Sequence, residues 1–100
     1  MIYRVRLTLA ANADLDRLYD FLPSLDLEAA ERALQAIERS FELLAHSPFS
    51  CRKALMADNP RIREIVIPFG RSGYVALFEI DDARTVTVTA VRHQREDDYH

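Results

Sequence analysis

Along residues 2–8, Tyr3, Val5 and Leu7 alternate with Arg4, Arg6 and Thr8, a period of two that predicts a strand with one face buried. At Leu9 the period lengthens. Leu15, Leu18, Tyr19 and Leu22 fall at i, i+3, i+4 and i+7, with Asn12, Asp16 and Asp20 opposite, which predicts an amphipathic helix. Thr8 or Asn12 can cap it and Pro23 ends it. Asp26 then caps a second helix, whose stripe is Ala30, Ala33, Leu34, Ile37, Phe41 and Leu44, with Glu28 and Arg32 paired at i,i+4. His46-Ser47-Pro48 stops it. The linker Pro23-Ser24-Leu25-Asp26 is short enough to fold the helices back on each other, and the alanines predict a close approach.

Residues 49–60 show neither period, contain Asn59-Pro60, and read as loop. Three strands follow at 62–67, 74–80 and 85–91, joined as hairpins by Gly70-Arg71-Ser72-Gly73 and Asp81-Asp82-Ala83-Arg84. The run Tyr74-Val75-Ala76-Leu77-Phe78 is apolar on both faces and belongs at the centre of the sheet. Thr85, Thr87 and Thr89 alternate with Val86, Val88 and Ala90, which leaves that strand one polar face. The expected fold is α+β of order β-α-α-β-β-β, an antiparallel helical hairpin packed on a small antiparallel sheet, in a single domain over residues 1–100.

Composition narrows the classes. The chain of 100 residues is 49% hydrophobic and 29% charged with 2 Gly and 4 Pro, which excludes collagen-like and disordered proteins. Cys51 is the single cysteine, so neither an internal disulfide nor a cysteine zinc cluster can form, and a reducing cytoplasm is expected. The longest apolar run, residues 74–78, is too short for an anchor, so no membrane partner is expected. Net charge is −3, the wrong sign for a free nucleic-acid binder. Its distribution is uneven: residues 12–46 carry −5, whereas residues 47–71 carry +3 through Arg52, Lys53, Arg61, Arg63 and Arg71. That stretch reads either as a solvated face or as a docking surface for something acidic.

No phosphate-binding glycine loop, HExxH, GxSxG or paired CxxC motif is present. Cys51 and His46 have no third group to orient a base, and His93, Asp97 and His100 have no established ligand spacing, so no metal and no cofactor is expected. The informative segment is Val91-Arg92-His93-Gln94-Arg95-Glu96-Asp97-Asp98-Tyr99-His100. Its imidazole, guanidinium groups and phenol are group types that hold phosphate and move a proton, and its acids equally suit a charge-balanced tail.

Three segments carry a resemblance over nearly the whole chain: Leu7-Thr8 leading into Ala13-Asp14-Leu15, Gly70-Arg71-Ser72-Gly73-Tyr74 through Phe78, and Val91 through Tyr99. In their order and spacing the chain resembles the ParE/RelE superfamily of toxins from type II toxin–antitoxin modules. The resemblance implies plasmid stabilisation, a cognate antitoxin partner, and contact with operator DNA only through that antitoxin. It also implies one of two targets. ParE-like members block DNA gyrase without cutting RNA; RelE-like members cut messenger RNA on the ribosome without a metal. A third reading is an inactive member retained as an antitoxin partner. The His93-Gln94-Arg95 run resembles the ParE branch, and a single lysine departs from the cation-rich nuclease pattern. No catalytic residue is therefore expected, and Arg52, Lys53, Arg63, Arg71, His93, Arg95 and Tyr99 are the candidates for partner or target binding. In the nuclease branch Arg71, His93, Arg95 and Tyr99 would be the catalytic groups. Pro48-Phe49-Ser50-Cys51-Arg52 lacks the Gly-Arg that often follows this proline in such proteins.

Overall fold

In the computed structural model, which describes residues 2–54, 59–69 and 72–93, these periods become two helices over one face of a five-stranded sheet. β1 (Arg4–Leu7) leads into α1 (Leu9–Phe21), and a 3-10 turn (Leu22–Ser24) leads to α2 (Leu27–His46). A second 3-10 turn (Pro48–Ser50) delivers β2 (Arg52–Lys53), followed by β3 (Ile62–Phe69), β4 (Ser72–Ile80) and β5 (Thr85–His93). The helices start where the sequence supplies acceptors. Thr8 Oγ1 accepts from the Ala11 N–H at 3.1 Å and Asp26 Oδ1 from the Ala29 N–H at 2.7 Å, each satisfying an amide with no partner inside its helix. Pro48 opens the second 3-10 turn and Pro23 stands second in the first, positions where no N–H is required of them.

The strand order is β1-β5-β4-β3-β2. β2 to β5 are antiparallel neighbours, whereas β1 runs parallel to β5 with Val5 opposite Val86. The sheet is therefore mixed and not wholly antiparallel as expected. The helical pair carries the chain across the sheet to its far edge, consecutive hairpins then build back, and the last strand meets the first running in the same direction. Residues 49–60 also hold more structure than a loop: a 3-10 turn and β2, whose two residues pair with Arg63 and Glu64 and are too few to show a period.

The core joins Leu15 and Leu18 of α1, Ile37 and Leu44 of α2, and Ile65, Ile67, Phe78, Val86, Val88 and Val91 of the sheet. β4 is the central strand, with Ala76 and Phe78 fully buried on the helix face and Val75 buried on the other, as its two apolar faces require. α1 lies over β5 and α2 over β3, and each touches the sheet more than the other helix. The small residues of α2 therefore serve the sheet interface more than a close helix pair. Flanking positions expected inside, Tyr19 and Leu34, are 40% and 38% exposed, because a helix on a sheet buries only a narrow stripe. Ser40 takes an inward place instead, its hydroxyl donating to the Ala36 carbonyl at 2.8 Å.

One irregularity sets the end of β5. Leu77 pairs with Ala90 but Phe78 pairs with Val88, which leaves Thr89 as an extra residue in β5, a β-bulge. Its hydroxyl donates to the Leu77 carbonyl at 3.3 Å. Inward positions are Val86 and Val88 before the bulge and Val91 after it, so Ala90 does not continue the expected alternation.

Candidate functional site

α1 takes over from β1 along the outer edge of β5. The Thr8 N–H donates to the Val88 carbonyl at 3.0 Å, and its hydroxyl, which also caps α1, donates to the Thr89 carbonyl at 3.2 Å. One turn later Asp14 Oδ2 accepts from the Val91 N–H at 2.9 Å, while Oδ1 pairs with Arg17. The Asp14 side chain is only 14% exposed. Beyond these bonds His93 lies on the helix side of the sheet, its ring edge-on to Tyr74 at 5.2 Å, and Tyr74 is edge-on to Phe69 at 6.2 Å. Asp14, Arg17, Phe21, Tyr74 and His93 line a shallow cleft of about 240 Å³. The Arg17 guanidinium and the His93 imidazole there can hold a polar group of a partner by hydrogen bonds, while both oxygens of Asp14 are engaged within the fold.

Of the sequence candidates, this end holds His93. Arg71, Arg95 and Tyr99 lie outside the described residues. Asp14 is the member that composition and motif left without a role. Its signal was an acid at the i+3 place of the buried series Ala11, Asp14, Leu18, where an apolar residue is the rule.

Arg52, Lys53 and Arg63 sit elsewhere. Arg63 shares a cross-strand row with Phe78 and Val88, whereas His93 shares one with Tyr74 and Ile67, about 13 Å away along β3 at 3.3 Å per residue. Arg52 and Lys53 are exposed on the edge strand. Arg52 Nε donates to Glu64 Oε2 at 2.7 Å, and Arg61 reaches Glu79 at 4.0 Å. Arg63 turns inward: its Nη1 donates to the Cys51 carbonyl at 2.6 Å and its guanidinium lies 5.5 Å from the centre of the Phe49 ring, which is edge-on to Tyr3. Arg63 thus ties the second 3-10 turn to β3. Burial pushes the Cys51 thiol up, with Ser50 and Arg63 pulling it partly back, so little nucleophilic thiolate forms at neutral pH. Among the described residues no three His, Cys, Asp or Glu side chains gather around one ion position, and no helix is long and apolar enough to cross a membrane.

Comparison with known proteins gives this arrangement a family. A family model described as the ParE toxin of the type II toxin–antitoxin system parDE matches residues 5–98, a span that takes in both ends of the sheet. The chain is 32% identical over 93 residues to Toxin RelE1 of Caulobacter vibrioides, covering 93% of this chain and 95% of that one. A solved structure of the chromosomal ParDE TA system from P. aeruginosa has a similar fold, with a TM-score of 0.64 at 20% identity, covering 92% of this chain and 96% of that one. With the fold, the order of its motifs and the matched span in agreement, the chain belongs to the ParE toxin family of type II toxin–antitoxin systems, within the ParE/RelE superfamily.

Proposed function

We propose that the chain is a toxin that acts by binding DNA gyrase rather than by cutting RNA, and that a cognate antitoxin holds it inactive. The observation that carries the choice is the state of the basic stretch. Of its four described cations, Arg52 and Arg61 face Glu64 and Glu79, and Arg63 is turned into the fold. Cleavage of RNA by side chains alone requires cations held over the scissile phosphate, and ribosome binding draws on many unneutralised ones. A protein target is recognised through shape and a few matched charges. The end of β5 with His93, and the Arg95 and Tyr99 that follow it in sequence, is the surface we assign to the target.

The antitoxin is assigned to the opposite flank. Among the described residues no strand pairs with β3 beyond Glu64 on the β2 side. A groove of about 200 Å³ runs there between α2 and β3, floored by Ala36, Leu43 and Val66 with Arg39 at its rim. An antitoxin segment with apolar side chains and carboxylates matches it, Arg39 and the nearby exposed Lys53. Purified chain should inhibit gyrase supercoiling and leave ribosome-bound message intact, and antitoxin should reverse the inhibition. A ribosome-dependent cut without effect on supercoiling would overturn the assignment.

A further inference from the structure

Asp14 is a largely buried carboxylate to which neither the family resemblance nor the proposed target surface gives a role. Its hydrogen bond to the Val91 N–H joins residues 77 apart in sequence. The bond falls two residues beyond the Thr89 bulge, where β1 no longer covers β5 and the Val91 amide faces away from β4. Three polar side chains converge on this point: Thr8 on the Thr89 carbonyl, Thr89 on the Leu77 carbonyl, and Asp14 on the Val91 amide. Thr8 and Thr89 hold the bulge itself. β4 pairs with residues 90–93 from one side, and Asp14 alone of the three holds the strand after the bulge from the other, two residues before His93.

We propose that Asp14 is a positioning residue of the toxin: by holding the Val91 amide it closes the edge of β5 that β1 leaves uncovered and fixes His93 at the target surface, while contributing nothing to the antitoxin surface on α2 and β3. The proposal rests on the target reading above. β4 holds the end of β5 from one side only, and a bond from a charged acceptor on the other edge fixes it before the target arrives. The side chain touches no target atom in this account; its effect passes through backbone.

The test compares the full chain with Asp14→Ala and Asp14→Asn at matched amounts of folded protein. Growth arrest on induction, inhibition of gyrase supercoiling, antitoxin capture, and hydrogen exchange at the Val91 amide are read together. Asp14→Ala should speed exchange at Val91 and weaken arrest and inhibition by at least about tenfold, with antitoxin capture undiminished. Asp14→Asn keeps an oxygen that accepts from the same amide and should restore most of the toxicity. Full toxicity of Asp14→Ala despite rapid Val91 exchange would overturn the proposal, as would an Asp14→Asn variant as defective as Asp14→Ala. Loss of antitoxin capture in step with toxicity would also overturn it, making Asp14 a residue of the fold at large. The gyrase reading fails separately, when the parent chain arrests growth without touching supercoiling; the growth comparison still decides the role of Asp14.

Discussion

Replacing Arg63 by alanine asks whether a guanidinium in the middle of a strand serves the fold or a partner. It donates to the Cys51 carbonyl at 2.6 Å and lies over Phe49 at 5.5 Å, on a half-buried side chain. A hydrogen bond from a charged donor contributes about 1.5–3 kcal/mol. The cation–π contact with a ring as exposed as Phe49 adds about 0.5–1 kcal/mol. The sum, about 2–4 kcal/mol, is a large part of the roughly 5–15 kcal/mol that holds such a domain folded. At roughly 4–8 °C per kcal/mol for this size, the thermal midpoint of Arg63→Ala should fall by about 8 °C or more. Arg63→Lys, which keeps a charge but loses the planar donor, should fall between the two. Thermal unfolding followed by circular dichroism, with antitoxin and gyrase binding measured beside it, decides the matter. A midpoint within about 2 °C of the parent, accompanied by weaker binding, would refute the structural role and make Arg63 a recognition residue.

Three further outcomes are expected. Tyr99→Phe should retain toxicity, and the parent should cut no message, as assayed on translating ribosomes; a nuclease using that phenol would lose about 10²–10⁴-fold. Deleting Thr89 should leave Phe78 opposite Val88, Leu77 opposite Ala90 and Ala76 opposite Val91 with no extra residue, so Val91 stays inward and the chain should still unfold cooperatively, losing only the bonds that Thr89 makes. Thr89→Val keeps the extra residue and loses one bond to Leu77, so it should cost only about 0.5–1.5 kcal/mol in denaturant titration. Asp82 accepts a backbone bond from Arg84 that holds its carboxyl below the ordinary value of 3.8. A folded value below the unfolded one stabilises above about pH 4 and is lost as pH falls through the folded value, so the stability gap between parent and Asp82→Ala should close in acid unfolding curves.

The fold was legible where a side chain's place follows from its neighbours in sequence. Thr8 and Asp26 announced their helices, and the run from Tyr74 to Phe78 announced the central strand. The alternation of Val5 and Leu7 gave a strand but no partner, since a period of two is the same in parallel and antiparallel pairs. The bulge was silent for a similar reason: Thr89 continues a regular run of threonines, and only its pairing with β4 makes it the extra residue. The two-ended division of the candidate site was also hidden. His93 and Arg63 are both charged or titratable residues in strands, and only the register between β3, β4 and β5 places them in different rows. Asp14 was visible as an acid on an apolar stripe, but its acceptor role needed the amide of a residue 77 positions on.

The parallel pairing of β1 with β5 has a consequence for synthesis. Residues 4–7 wait for residues 85–88 before they can form a ladder, and Thr8 and Asp14 wait for Thr89 and Val91. While a ribosome is still translating the intervening 77 residues, the first strand has no edge to join, and the loop that must be closed is most of the chain. The growing polypeptide therefore stays without its final sheet until residues 85–88 have been made. The end of β5 that carries His93, the surface assigned above to the target, is thus among the last parts of the fold to form.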